Sequence, residues 1–145
     1  MLESPQSFGE KELEYKMKCV KEIIKKPWGY EQIIQKNDQY VLKQIHIEPG
    51  KRLSLQYHEQ KTETIFCMSD EAIVWTKRSA DDTEVKKVTL KYGEAFHIEP
   101  QQIHRFAAGF KAVDLLEVST PQLDDVVRLE DDYNRIEVST TTTQE

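Results

Sequence analysis

The residues able to do chemistry gather in one stretch, 49–67, PGKRLSLQYHEQKTETIFC. Gln56 and His58 stand two apart, and Glu63 follows five residues after His58. Downstream, His104 comes after a turn region at 93–100 and opens a short apolar run. Two imidazoles, one carboxylate and one amide oxygen form a borderline-to-hard donor set. Such a set suits Zn(II), Mn(II), Fe(II), Co(II) or Ni(II) better than a thiolate-seeking ion. The amide brings no charge, so a divalent ion held there stays net positive and favours a developing oxyanion.

These side chains need elements that bring them together. After the Pro49-Gly50 turn signal, residues 52–58 alternate: Leu53, Leu55 and Tyr57 on one side, Ser54, Gln56 and His58 on the other. In a strand those two sets face opposite ways. The polar bend Glu59-Gln60-Lys61 returns the chain as a hairpin, placing Glu63 on the neighbouring strand in a row with Ile65 and Cys67. Lys61 shares a face with Glu63 at period two. Further strands are expected at 30–35, 40–48, 72–77, 84–90, 95–98, 104–107 and 112–119, with turn residues between them. Many short strands at this spacing read as an all-β sandwich or barrel. A short helix at 10–18 and a lead-in strand at 19–24 precede them, Lys26-Pro27-Trp28-Gly29 is a break, and 123–129 forms a helical or irregular cap.

The pattern G-x5-Q-x-H-x4-E, followed by G-x10-H, resembles the two motifs of the cupins, with Gln56 in place of the usual first histidine. The wider chain is similar to cupin-type (type II) mannose-6-phosphate isomerase domains. The similarity runs from Lys26-Pro27-Trp28-Gly29 through Leu53-Ser54-Leu55-Gln56 to Asp124-Asp125-Val126-Val127-Arg128 and Glu130-Asp131. The resemblance implies a single-domain jelly-roll β-barrel at 26–135, an N-terminal extension at 1–25 and a disordered tail at 136–145. It implies that Gln56, His58, Glu63 and His104 hold a divalent metal, with zinc the first choice, for a sugar-phosphate aldose–ketose isomerase. Mannose 6-phosphate and fructose 6-phosphate would be the pair interconverted. A non-catalytic sugar-binding or regulatory cupin, or an isomerase or epimerase of nucleotide-linked sugars, are the alternatives.

In that reading the metal polarises the sugar oxygens and a base moves a proton between carbons. Lys61 is the first candidate for the proton, since type I isomerases have a lysine two residues before their ligand glutamate; a solvated bend lysine is the other reading. A nearby cation should lower its pKa. Arg52, Arg105 and Arg128, with Lys51 behind them, are the candidates for the phosphate. By alternation Arg105 points away from His104, and Arg128 has Glu130, Asp131 and Asp132 close by as alternative partners. His46 reads as a surface histidine, and His97 lies beside the site without belonging to it. The chain departs from the family pattern at Thr64-Ile65, Asp70, Glu99, Gln101 and Ala108, all around the expected pocket rim.

Bulk properties narrow the partners. The net charge of −6, without a basic cluster carrying aromatics, argues against nucleic acid. No apolar run approaches the ~20 residues of a membrane span, and the N-terminus has no apolar signal core. Cys19 and Cys67 make no disulfide framework, which fits a cytoplasmic protein. Some relatives with this cupin carry a nucleotidyltransferase domain in front; its glycine-rich loop does not occur in this chain, so sugar-nucleotide synthesis is not expected of it. The apolar Leu53, Leu55, Tyr57 face needs a cover, supplied by the N-terminal segment or by a second subunit in a homodimer.

Overall fold

The computed structural model describes residues 9–17, 22–78 and 81–136. Cys19, part of the loop expected at 79–82, and the tail from 137 onward lie outside them. A helix, α1 (Glu10–Met17), precedes eleven strands among the described residues: β1 (Glu22–Lys26), β2 (Gly29–Lys36), β3 (Val41–Ile47), β4 (Leu55–Tyr57), β5 (Glu63–Cys67), β6 (Glu71–Lys77), β7 (Lys86–Lys91), β8 (Ala95–Ile98), β9 (Ile103–Ala107), β10 (Val113–Ser119) and β11 (Val127–Glu130). They form two sheets, in the orders β1-β2-β3-β10-β5-β8 and β11-β4-β9-β6-β7. The expected pairs β2–β3 and β6–β7 are antiparallel neighbours.

The two sheets face each other over a core that changes character along its length. At one end Ile45, Ile47, Ile65, Cys67, Val113 and Leu115 of the six-stranded sheet meet Val74 and Phe106 of the other. At the opposite end the inward positions continue as Lys43, Glu63, Glu117 and Ser119, all buried. Period-two alternation produces this: each strand keeps one face inward, and the identity of the inward residue switches from apolar to polar toward the mouth. Gly29 opens β2 where a Cβ would collide with the carbonyl oxygen of His46, so no other residue fits that crossing.

Three expectations change. β4 and β5 are not a hairpin: β4 lies between β11 and β9, whereas β5 lies between β10 and β8. The bend at 58–62 crosses from one sheet to the other, so Gln56 and Glu63 face each other across the sandwich. The C-terminal cap is irregular only to Val126; Val127–Glu130 is an edge strand antiparallel to β4, with Arg128 opposite Gln56. The Leu53, Leu55, Tyr57 face is not one face, because regular pairing in this run begins only at Leu55. Leu53 joins the core, and with 6% and 7% exposure Leu53 and Leu55 are covered within one chain. Leu53 and Leu55 therefore need no second subunit to cover them.

Candidate metal centre

Each donor comes from a different part of the frame. Glu63 opens β5 in one sheet; Gln56 and His104 are register partners on β4 and β9 in the other. His58 follows the end of β4. Ligand atoms of His58, Glu63 and His104 all lie within 4.8 Å of one another. His104 Nε2 is 3.2 Å from Glu63 Oε1, and His58 Nε2 is 3.7 Å from Glu63 Oε2. Gln56 lines the same cavity and is buried.

Hydrogen bonding fixes how the imidazoles present themselves. His104 Nδ1 lies 2.9 Å from the carbonyl oxygen of Gln102, and His58 Nδ1 lies 2.5 Å from that of Asp125. A carbonyl only accepts, so both Nδ1 atoms carry hydrogen, and a ring in its neutral form then turns the lone pair of Nε2 toward Glu63. Neither Glu63 oxygen nor His104 Nε2 completes a hydrogen bond among the described residues, although all three atoms are buried. Lone pairs converging in a dry site repel unless a cation stands between them. The donor set and these unsatisfied atoms therefore fit a divalent metal ion.

Behind the donors runs a buried chain of alternating charge. Lys61 is 3.0 Å from Glu63 and 3.5 Å from Glu117; Lys43 is 3.6 Å from Glu117 and 3.4 Å from Glu31. Burial opposes ionisation of Glu63, yet its carboxyl is held well below the usual range, with the Lys61 ammonium 3.0 Å away. Burial and the negative charge of Glu63 push Glu117 up. Burial alone would lower Lys61, yet Glu117 and Glu63 prevail and raise its ammonium above the ordinary value. Without a metal ion beside it, Lys61 is a cation paired with two buried carboxylates. Sequence reasoning missed Lys43, Glu117 and Glu31. The signal was present, since Lys43 shares a face with Val41, Ile45 and Ile47, and Glu117 with Val113 and Leu115.

The three arginines separate. Arg128 lines the cavity, and its Nε is buried with no hydrogen-bond partner among the described residues. Arg105 points away, as alternation requires; its guanidinium donates to the carbonyl oxygens of Leu53 at 2.8 Å and Glu130 at 3.3 Å. Arg52 makes a two-point pair with Asp132, at 2.7 and 3.0 Å, outside the cavity. Neither is free for a phosphate there. Lys51 donates to the carbonyl oxygen of Pro27. Lys26, not singled out from sequence, lines the cavity and makes no ion pair among the described residues. His46 pairs with Asp114 at 2.7 Å and His97 with Thr64 and Glu99, both remote from the trio.

Two packed antiparallel sheets with a polar mouth holding His58, Glu63 and His104 define a cupin. Solved structures share this fold. The capsular polysaccharide assembling protein CapF from Staphylococcus aureus superposes with a TM-score of 0.67 at 16% identity, over 77% of this chain and 34% of its own. Oxalate decarboxylase from Bacillus subtilis gives 0.65 at 13% identity, over 75% of this chain and 30% of that one. Residues 12–131 match the family described as mannose-6-phosphate isomerase C-terminal, and the chain belongs to that family. Among curated relatives, the alginate biosynthesis protein AlgA of Pseudomonas aeruginosa is 31% identical over 77% of this chain, and the mannose-1-phosphate guanylyltransferase ManC of Salmonella typhimurium 32% identical over 78%. The chain spans only 23% of the length of each.

These relatives overturn the expectation of a mannose-6-phosphate isomerase in its own right. They are named for mannose-1-phosphate guanylyltransferase activity and for alginate and xanthan biosynthesis, and the matched cupin is only a C-terminal part of them. Among the described residues, no helix is long and apolar enough to cross a membrane.

Proposed function

We propose that this chain is a divalent-metal cupin that holds a phosphorylated sugar of the mannose series, within the nucleotide-sugar chemistry for which its relatives are named. The observation that carries the reading is that both Glu63 oxygens and His104 Nε2 are unsatisfied beside a cavity whose wall also holds Lys26 and Arg128, neither with an ion pair among the described residues. Gln56, His58, Glu63 and His104 would hold the ion. A nitrogen- and oxygen-donor site of this kind accepts several first-row divalent ions, and zinc is the first choice. When bound, the ion supplies fixed positive charge for neighbouring sugar oxygens.

The chain's own residues do the rest. Lys61 and Lys43 neutralise Glu117 and keep Glu63 ionised. Leu53, Phe106, Leu123 and Val126 line the cavity with apolar surface. The inner chamber, about 100 Å³, is smaller than a typical enclosed ligand pocket of roughly 300 Å³ or more. A sugar phosphate therefore enters only in part, sugar oxygens inward and phosphate at the mouth, where Arg128 and Lys26 meet it. The expected homodimer plays no part in this reading.

Titration calorimetry of zinc-loaded and zinc-free protein with mannose 1-phosphate, mannose 6-phosphate and GDP-mannose tests the proposal. At least one phosphorylated sugar should bind the loaded form and not the zinc-free form. Arg128→Ala should weaken that binding by about 10- to 100-fold, the worth of a charge-assisted contact. Binding of no member of the panel, or equal binding with and without zinc, refutes it.

A further inference from the structure

Residues 120–126, between β10 and β11, cross over the 58–62 bend that carries the chain from β4 to β5. Thr62 N–H donates to Thr120 Oγ1 at 3.0 Å, and Thr120 N–H returns a bond to the Thr62 carbonyl at 3.0 Å. Asp125 holds more of the bend. Its Oδ1 accepts the Glu59 N–H at 2.9 Å, and its Oδ2 accepts those of Gln60 at 2.7 Å and Lys61 at 2.9 Å. Its backbone carbonyl accepts the Nδ1–H of His58 at 2.5 Å. Four donors from four consecutive residues thus end on one residue, and that run joins His58 to Glu63. The three amides lie outside any sheet ladder, so without the carboxylate they must turn to water and the bend loses its shape. A neutral imidazole presents a lone pair at one nitrogen only, and the carbonyl of Asp125 decides that this is Nε2 of His58.

We propose that Asp125 is a positioning residue of the metal centre: its carboxylate moulds the bend between His58 and Glu63 and thereby seats its own carbonyl against His58, which then offers Nε2 to the ion. The role rests on the metal reading above. Thr120 serves as the internal comparison, because it ties the same bend without touching His58.

The experiment uses the full chain as wild type, Asp125→Asn, Asp125→Ala and Thr120→Val. Three quantities are read: zinc affinity by competition with a chromophoric chelator, the visible spectrum of the Co(II)-loaded protein, and the His58 tautomer by ¹⁵N NMR of the metal-free protein. Asp125→Ala should weaken zinc binding by about 10- to 100-fold, the usual consequence of losing an outer partner of a ligand histidine. Asp125→Asn, which keeps the shape and one acceptor oxygen, should lose less, and it decides the matter if the alanine variant does not fold. Both should change the Co(II) spectrum and dilute the Nδ1–H tautomer. Thr120→Val should stay within about twofold in affinity with an unchanged spectrum. Wild-type affinity, spectrum and tautomer in Asp125→Asn overturn the role of Asp125 alone, and so does a Thr120→Val variant as impaired as Asp125→Ala. Wild-type protein that binds no zinc overturns the metal reading itself, and with it this role.

Discussion

Lys61 keeps 6% of its side chain exposed and touches two carboxylates that are themselves buried. Removing its charge leaves Glu63 and Glu117 with too little positive charge in a dry site. Breaking a buried pair on one side costs about 3–5 kcal/mol, because an uncompensated ion stays behind. Lys61→Met should therefore lower the midpoint of thermal unfolding of metal-free protein by roughly 10 °C. Zinc should restore part of that loss, since the ion itself balances Glu63. Calorimetry with and without zinc measures both, and an unchanged midpoint in the metal-free variant would show that Lys61 carries no structural charge. Arg128 and Lys26, which make no ion pair among the described residues, follow a different logic: in the proposed function they meet a ligand, so their loss should appear in binding before it appears in stability.

At the scale of the elements, the turn before β9 carries a backbone irregularity. Gln101 has φ 68°, in the left-handed region, and its N–H donates to the carbonyl oxygen of His58 at 2.6 Å. A side chain there costs about 1 kcal/mol or more, while glycine costs roughly 0.4–1 kcal/mol through the unfolded chain. Gln101→Gly should thus leave stability equal or raise it by up to about 1 kcal/mol in urea unfolding; a clear loss would show that the Gln101 side chain makes up for its backbone. The same scale shows what the sequence made legible. Alternation placed Gln56 with His58, and Glu63 with Ile65 and Cys67, and those faces are as read. It also turned Arg105 away from His104. Pairing partners were another matter, because a bend of polar residues looks the same whether it joins neighbours in one sheet or crosses between two. What makes this bend cross is contact with residues some sixty positions downstream, at Thr120 and Asp125. β11 escaped for a similar reason: its four residues pair with a strand about seventy positions earlier, and an alternation as short as Val127-Arg128-Leu129-Glu130 does not by itself name a strand.

Over the whole molecule, acid and base should act through different groups. Asp131, beside Arg135, is lowered to about 2. Glu63 is lowered, and so is Asp125, where backbone amides outweigh burial. A carboxylate with a depressed folded pKa contributes stability that is present above its unfolded value near 4 and lost as pH falls through the folded one. Glu117, raised, acts in the opposite sense and makes the acid limb shallower. Lys43 and Lys61 are raised; their contribution is complete below the ordinary lysine value of 10.5 and is lost only as pH climbs through the folded one. Metal-free protein should therefore hold a plateau from about pH 5 to pH 10 in urea midpoints, falling on both sides. A midpoint that drops steadily between pH 8 and pH 10 would contradict the raised lysines.

The alternating line Glu31, Lys43, Glu117, Lys61, Glu63 also bears on how this chain can change over generations. Replacing either lysine takes a counter-charge from two carboxylates at once, so one-step routes away from the line pass through damaged intermediates. Two positions must alter together, or an external cation must arrive to shield the first change. Descendants that abandon the ion should consequently keep the lysines and glutamates longer than they keep the histidines. A survey of drifting copies would find His58 and His104 worn away first, with the charged pairs behind them still intact.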